Sequence, residues 1–173
     1  MRSGNFLWVF SVFIGLTSSC LLSRAQTTTA VGPEAQVTFY STGSPWKGAI
    51  PGNRYGMFNG RIMDEYDQLA MLLPGRFITF HLDAGPHTFS ANSWMVSRPE
   101  GGGHLNLDLV AGKHYYIGAY LEQLVVWGQP RLEQRTCEQA RDDNEKTKRL
   151  DEKHLKKYGK ERLVAEASFP SCS

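Results

Sequence analysis

The sequence predicts a mainly β fold: a small antiparallel β-sandwich of about seven strands, followed by a charged C-terminal α-helix. Most of this prediction rests on one internal echo, in which residues 80–89 are repeated by residues 107–116. The shared residues are Leu82, Ala84, Gly85 and His87 in the first copy and Leu109, Ala111, Gly112 and His114 in the second. Each copy has an alternating apolar run, a glycine turn and a second β-prone run, which is the pattern of a β-hairpin.

Two further observations support this fold class. Asn59-Gly60 is the strongest short turn signal in the chain, because both residues tolerate the positive φ of a type I′ hairpin turn. After Pro130 the composition changes, since residues 131–162 are rich in charge and helix formers and contain no proline and a single glycine, Gly159. The chain therefore divides into a β region and a helical extension.

Residues 1–25 are predicted to be a signal peptide. Arg2 supplies the positive start, residues 6–16 form the apolar run, and small residues precede a cut between Ala25 and Gln26. The apolar run has about half the length that a membrane-spanning helix needs. We therefore expect an exported protein of the periplasm, the cell envelope or the secreted class, with no transmembrane span in the mature chain.

Lipid attachment at Cys20 is a less favoured alternative. A lipoprotein signal usually carries leucine or a similar residue where Thr17 stands, and Leu21-Leu22 continue the apolar run. One lipid-modified cysteine would tether an otherwise soluble protein to a membrane.

The charge balance argues against a polyanionic partner. The full chain has 19 Lys and Arg residues against 17 Asp and Glu, and removing the signal peptide takes away Arg2, Arg24 and no acid. The mature chain is then formally neutral, with no long block of like charge. We expect no nucleic-acid partner.

Cysteine usage agrees with export. Once Cys20 leaves with the signal peptide, Cys137 and Cys172 are an even pair, and such pairs form disulfides in oxidising compartments. We predict a Cys137–Cys172 disulfide. Two free thiols are the alternative, because sequence does not show whether the Cα atoms lie close enough for a bridge.

The β-sandwich domain is predicted over residues 35–128. Its first strand is Gln36 to Tyr40, which is short and rich in β-formers. An irregular loop follows, and residues 55–58 and 61–63 are the expected arms of a hairpin at Asn59-Gly60.

The second half of this domain contains the repeated pattern. Asp64 to Leu73 fits either a helical turn or a strand. The two glycine hairpins follow, separated by a crossing loop at residues 97–103. Tyr120 to Trp127 continues or adds the last strand, and Gly128-Gln129-Pro130 ends the β region.

Residues 131–173 are predicted to form a charged helical extension. A helix from about Leu132 to Tyr158 would end at Gly159, since glycine favours the left-handed geometry beyond a helix C-terminus. Its apolar stripe is thin, so the helix would pack weakly. The predicted disulfide would close a loop of about 35 residues and contribute on the order of 3 kcal/mol in the chain-entropy model.

A three-residue loop with glycine last is a common hairpin connection, and it sets the register of each hairpin. At residues 110–112 it pairs Leu109 with Lys113. One face is then apolar, with Leu105, Leu107, Leu109, Tyr115, Ile117 and Leu121. The other face is polar or aromatic, with Asn106, Asp108, His114, Tyr116 and Tyr120.

The same register decides which histidines meet. At residues 83–85 it places His81 opposite His87, and Asp108 and His114 form a similar pair on the second hairpin. Two such pairs could begin a metal site, but zinc normally takes three or four protein ligands and nothing in the sequence brings the pairs together. A loop of two or four residues would separate the histidines altogether.

The motifs of common enzyme classes are missing from the sequence. It has no Gly-x-Ser-x-Gly elbow, no phosphate-binding glycine loop, no His-Glu-x-x-His and no Cys-x-x-Cys. The sequence therefore predicts no catalytic residue, no cofactor and no metal, although an enzyme assembled from distant residues is an open alternative.

Four segments carry a family resemblance: Val37 to Tyr40, Asn59 to Arg61, Phe80 to His87 and Leu107 to Tyr116. They resemble uncharacterised exported bacterial proteins, many of them lipoproteins, with a small β-sandwich similar to PEGA-type and prealbumin-like domains. The resemblance covers about 90 of the 173 residues. It implies an antiparallel sandwich and assigns no catalytic residue. The chain departs from this family by an insertion at residues 64–73 and by its charged C-terminal helix.

The expected function is that of a non-catalytic cell-envelope or secreted module, acting structurally or by contact with an unknown protein partner or envelope component. A glycan or small-ligand binding module is the alternative. Its binding aromatics would be Trp46, Trp94, Trp127, Tyr116 and Tyr120. Exposure of these side chains in a row would favour glycan binding, whereas burial would place them in the core. An unrecognised enzyme or metal-binding protein is the third possibility.

Overall fold

The computed structural model describes residues 33–42, 54–93, 103–124, 127–144 and 146–172. All of these belong to one unit, Val31–Ser173. The predicted signal peptide, its cut between Ala25 and Gln26, and Cys20 lie outside the described residues.

Ten strands in the described ranges pair into two sheets. The strands are β1 Glu34–Ser41, β2 Arg54–Met57, β3 Gly60–Asp64, β4 Asp67–Leu72, β5 Arg76–Asp83, β6 Gly85–Ser93, β7 Gly103–Leu109, β8 His114–Leu124, β9 Trp127–Arg135 and β10 Lys148–Arg149. The six-stranded sheet has the order β10-β5-β1-β8-β2, with β9 also pairing with β8. The four-stranded sheet has the order β4-β3-β6-β7.

The predicted fold class is confirmed: the protein is mainly β, with two sheets and few helices, consistent with a small β-sandwich. The pairing is mostly antiparallel, but β1 with β8 and β10 with β5 are parallel. The strand count exceeds the predicted seven. The ambiguous segment from Asp64 to Leu73 forms β4 and the turn before it, and β9 runs through Pro130, where the β region was expected to end.

The hydrophobic core lies between the two sheets, where every second side chain of a strand points inward. In β1 these inward side chains are Ala35, Val37 and Phe39, all fully buried. The Phe39 ring centroid lies 6.2 Å from that of Phe80 on β5 and 5.2 Å from that of Phe89 on β6. Aromatic contacts therefore join the sheets at the centre of the sandwich.

The predicted glycine hairpins are wrong, because their turns join strands that lie in different sheets. β5 and β6 meet at Gly85, and β7 and β8 meet near Gly112, yet each pair is divided between the two sheets. Asn59-Gly60 likewise leads from β2 to β3 across the sandwich. Leu109 therefore pairs with Gly85 and not with Lys113.

The physical reason is that a glycine turn between paired strands and a glycine turn between strands of different sheets have the same local sequence. A glycine at positive φ, 131° for Gly85 and 74° for Gly112, allows the chain to reverse whether or not the flanking strands pair. Distant partners decide the outcome: all of β5 pairs with β1, and β6 lies between β3 and β7. The sequential strands that do pair are β3 with β4, β6 with β7 and β8 with β9.

The predicted long helix from Leu132 to Tyr158 is also wrong. Its start belongs to β9, and the rest is divided among α1 Cys137–Asp143, β10, a 3-10 helix Glu152–His154 and α2 Lys157–Glu161. Tertiary contacts override helix propensity here, since the apolar residues of this segment are buried at separate places. No helix in the described part of the chain is long and apolar enough to cross a membrane.

The segment from β10 to Val164 covers one edge of each sheet, at β5 and at β4. Beside β5, β10 pairs with residues 76–77, and the Val164 N–H donates to the Thr79 carbonyl at 3.0 Å. Beside β4, Leu155 bridges to Ala70. Edge strands left open can pair with other molecules, so this segment stabilises the sandwich and protects its edges together.

Candidate functional site

The outer face of the six-stranded sheet is covered by the C-terminal tail. Phe169 packs on Tyr40 and Phe77, with ring centroids 5.9 and 5.2 Å apart, and α1 adds the fully buried Ala140. The predicted disulfide is confirmed: Cys137 and Cys172 are bonded, with Cα atoms 5.6 Å apart, so the start of α1 is tied to the end of the tail. This face is therefore a second, smaller apolar cluster.

A directed hydrogen-bond chain runs under this tail. The Thr79 hydroxyl donates to the Glu166 carboxylate at 3.1 Å, so it must accept the Thr38 hydroxyl hydrogen at 2.7 Å. Thr38 in turn accepts from Nε2–H of His114, also at 2.7 Å, because each hydroxyl has one hydrogen to give. Burial, with a smaller effect of nearby His81, lowers the pKa of His114. The chain ends in a carboxylate and leaves no hydroxyl hydrogen unbonded.

A second network engages the remaining polar side chains of this face. The Tyr40 hydroxyl donates to Asp143 at 2.8 Å, and the Arg135 guanidinium lies 3.6 Å from the same carboxylate and 3.2 Å from that of Glu133. Tyr120 donates to Glu133 at 3.3 Å. Burial, reinforced by Asp143, raises the pKa of Tyr40 well above its usual range. These polar groups bind one another and are not available to a ligand.

The predicted pairing of His81 with His87 is wrong. His81 lies on β5 and pairs with Gln36, whereas His87 lies on β6 in the other sheet and pairs with Leu107. Asp108 and His114, the other suggested pair, are also divided between the sheets. Among the described residues, no group of three His, Cys, Asp or Glu side chains is placed to hold a metal.

His87 instead belongs to a buried polar cluster with Asp64, whose side chain is 3% exposed. Nδ1 of His87 lies 2.9 Å from the Asp64 carboxylate, and Nε2 lies 2.9 Å from the Asp83 carbonyl. Tyr158 of α2 donates to Asp64 at 3.2 Å. Both ring nitrogens are occupied by acceptors, so His87 has no free nitrogen with which to act as a general base. The cluster ties α2 to the sandwich.

Tyr158, like His87, is fixed in place by its neighbours. Burial, followed by the charge of Asp64, raises the pKa of Tyr158 to about 12. The Arg162 guanidinium carbon lies 3.8 Å from the centroid of its ring, a cation–π contact. The phenol therefore stays protonated at physiological pH and acts as a fixed hydrogen-bond donor.

The outer face of the four-stranded sheet differs from its counterpart in how its polar side chains are engaged. Its outward side chains are Arg61, Met63, Met71, Pro86, Thr88, Ser90, Asn92, His104, Asn106 and Asp108. Within the described ranges, no side-chain hydrogen bond or ion pair engages the polar members of this set. Hydroxyl, amide and imidazole groups thus lie on the outside of the sheet; Thr88, His104 and Asn106 are exposed, whereas Ser90 is 8% exposed. We call this surface the polar face.

A groove of about 440 Å³ opens at one end of the polar face. Its lining residues are Glu65, Tyr66, Thr88, Ser90 and His104. Glu65 has φ 51°, a conformation that few residues other than glycine and asparagine adopt, and its N–H donates to the Thr88 carbonyl at 2.9 Å. This turn presents Tyr66 with 96% of its surface exposed. The groove therefore combines one open aromatic ring with four polar side chains, and it is the candidate site.

The aromatic residues predicted to bind a glycan do not form this groove. Tyr116 is 6% exposed and lies beneath Phe169, and Tyr120 is bound to Glu133. Trp46, Trp94 and the side chain of Trp127 lie outside the described part of the structure. Sequence reasoning missed Tyr66; the Asp64-Glu65-Tyr66-Asp67 run could have indicated a turn with an exposed ring.

Comparisons with known proteins give no assignment. No family model, no curated protein and no solved structure matches the chain. The resemblance to exported bacterial sandwich proteins therefore stays a prediction, and function has to be argued from the surface of the molecule.

Proposed function

We propose that the protein is a non-catalytic β-sandwich module of the cell envelope or the secreted class, and that it acts through the polar face. The observation that carries this proposal is the contrast between its two outer faces. On the six-stranded sheet the polar groups bind one another beneath the tail. On the four-stranded sheet Thr88 and Asn106 are exposed and have no partner among the described residues.

The chemistry of the polar face favours recognition by hydrogen bonds. The large apolar side chains that are exposed in the described ranges are Met57, Tyr66 and Val110, and they are scattered over different elements. A large obligate protein interface would need a contiguous apolar patch. A polar ligand or a polar envelope component suits this surface better.

The bonding of His87 and His114 supports a non-catalytic role for these two side chains. His87 is held at both ring nitrogens, and His114 donates into a buried chain that ends at Glu166. Neither histidine has a free hydroxyl or thiol nucleophile beside it among the described residues, as nucleophilic catalysis requires.

An exported location is part of the same proposal. The Cys137–Cys172 disulfide is compatible with an oxidising compartment. The predicted signal peptide supports the same location, and cleavage between Ala25 and Gln26 stays a prediction that the intact mass of the exported protein would check.

The proposal is tested by adding bulk and charge at the centre of the polar face. Thr88 and Asn106 lie directly opposite each other in register, so Thr88→Arg with Asn106→Arg blocks that position. The matched control is Ala165→Arg with Ser168→Arg, which adds the same charge at exposed positions of the tail. We expect the first variant to lose co-sedimentation with the envelope fraction of the producing organism, and the control to keep it.

Melting temperatures close to that of the wild type would show that both variants fold. Equal envelope binding by the wild type and the Thr88/Asn106 variant would contradict the proposal, as would loss of binding in the control variant alone.

A further inference from the structure

We infer that the groove lined by Glu65, Tyr66, Thr88, Ser90 and His104 binds a neutral oligosaccharide. This inference rests on the proposed function, because the groove is one end of the polar face. It goes further by naming the ligand class and the side chains that recognise it.

The turn between β3 and β4 gives the first reason. A glutamate at φ 51° is strained, and a glycine would adopt this conformation without that cost. The hydrogen bond from the Glu65 N–H to the Thr88 carbonyl fixes the turn against β6. The turn therefore has a carboxylate, Glu65, and a tyrosine, Tyr66, where an ordinary hairpin would have neither.

The exposed ring gives the second reason. Tyr66 is 96% exposed, far more than Met57 at 44% or Val110 at 47%. Sugar rings have faces made of C–H groups with a rim of hydroxyls, and the electron-rich face of an aromatic ring attracts such C–H groups. A tyrosine at the mouth of a groove is therefore suited to stacking on a sugar ring, and with two side-chain torsions it has few rotamers to lose on binding.

The polar lining supplies the hydrogen bonds that the rim of a sugar needs. Thr88 and Ser90 lie on β6 and His104 on β7, directly opposite Ser90. The described residues offer no hydrogen-bond partner to these side chains or to the Glu65 carboxylate. Hydroxyl groups donate and accept, as sugar hydroxyls do, and the imidazole and carboxylate add one strong partner each. The groove volume of about 440 Å³ lies within the range of roughly 300–1,000 Å³ for small-molecule sites.

Other ligand classes fit less well. Among the described lining residues Glu65 alone has a fixed charge, and its negative charge would repel a phosphate or another anion. In the described lining a metal ion would find Glu65 and His104 as strong ligands, fewer than the three or four that protein sites provide. An extended peptide could not add as a strand to β6, which is already paired on both sides, by β3 and β7.

Isothermal titration of the folded, disulfide-bonded protein with neutral tetrasaccharides tests the inference. The probes are β-1,4-linked glucose, α-1,4-linked glucose and β-1,4-linked N-acetylglucosamine. We expect at least one to bind. Tyr66→Ala should weaken binding by at least about tenfold, Tyr66→Phe should keep most of the affinity, and Ser90→Ala should weaken it severalfold. Val110→Ala, at an exposed apolar position outside the groove, is the matched control and should change nothing.

Three outcomes would overturn the inference: no heat or chemical-shift change with any probe, an unchanged affinity in Tyr66→Ala, or equal weakening in Val110→Ala. They are distinct from failure of the proposed function. If the Thr88/Asn106 variant loses envelope binding while no saccharide binds, the saccharide inference is wrong and the polar face still acts, by binding another envelope component.

Discussion

Loss of the disulfide should destabilise the fold by an amount that its loop length sets. Cys137 and Cys172 are separated by 35 positions, and closing a loop of that length in the unfolded chain corresponds to about 3–4 kcal/mol. The tail keeps other contacts, since Phe169 packs on Tyr40 and Phe77, so a variant without the bridge should still fold. For a domain of this size the melting temperature should fall by about 10 °C.

Urea unfolding of Cys137→Ser with Cys172→Ser, compared with the wild type, measures this free energy. The wild type in a reducing agent should match the variant, whereas the variant should not respond to the reducing agent. An unfolding free energy within about 0.5 kcal/mol of the wild type would refute the reasoning, because the bridge would then not restrict the unfolded chain by the amount that its loop length requires.

Three further changes have defined outcomes. The lowered pKa of His114 means that the unfolded chain binds a proton more readily than the folded chain does. The contribution of His114 to the free energy of unfolding should therefore be fully present above pH 6.5, the ordinary histidine pKa, and should be lost as the pH falls below it. Urea unfolding at several pH values should show a weaker dependence on pH for His114→Gln than for the wild type. Gly159→Ala should cost about 1–3 kcal/mol in thermal unfolding, because a Cβ there would clash with the Leu69 carbonyl; unchanged stability would mean that α2 does not pack on β4. Asp64→Asn should cost about 2 kcal/mol by the same measurement, because its carboxylate accepts from both His87 and Tyr158; a loss no larger than that of Tyr158→Phe would contradict the role given to His87.

Sequence periodicity predicted which side chains point inward but not which strands pair. The predicted apolar face at the second glycine turn is in the core: Leu109 and Ile117 are buried, and Leu105, Leu107, Tyr115 and Leu121 pack against the core. Alternation is a property of one strand, so it is read correctly without knowing the partner. Pairing depends on contacts between distant parts of the chain. The sequence around β5 therefore does not show that β5 pairs with β1.

The C-terminal region was misread for a related reason. Its charge and its helix formers are real, but Leu132, Leu150 and Leu155 are each buried against a different part of the sandwich. The free energy of these separate contacts exceeds the small differences in helix propensity. The disulfide was predictable, because it required only a count of cysteines and a compartment.

The candidate site could not be predicted by pattern. Tyr66 is significant because it is exposed beside hydroxyls from β6 and an imidazole from β7, and those neighbours are 22 or more positions away. Aromatic content alone pointed to Tyr116, which the tail buries. Exposure and convergence are properties of the folded molecule, so they become visible only when the sheets are assembled.

The last part of the chain covers one edge of each sheet, and this has a consequence for biosynthesis. A polypeptide is made and exported from its N-terminus, so β4 and β5 are complete well before residues 148–164 emerge to cover them. During that interval the nascent chain has two unpaired edges, and a chain that stops after Asp143 keeps them permanently. We expect such a shortened chain to self-associate, which sedimentation would show as a larger species. In the full chain, the release of residues 148–164 from the ribosome or translocon is then the step that lowers the tendency to aggregate.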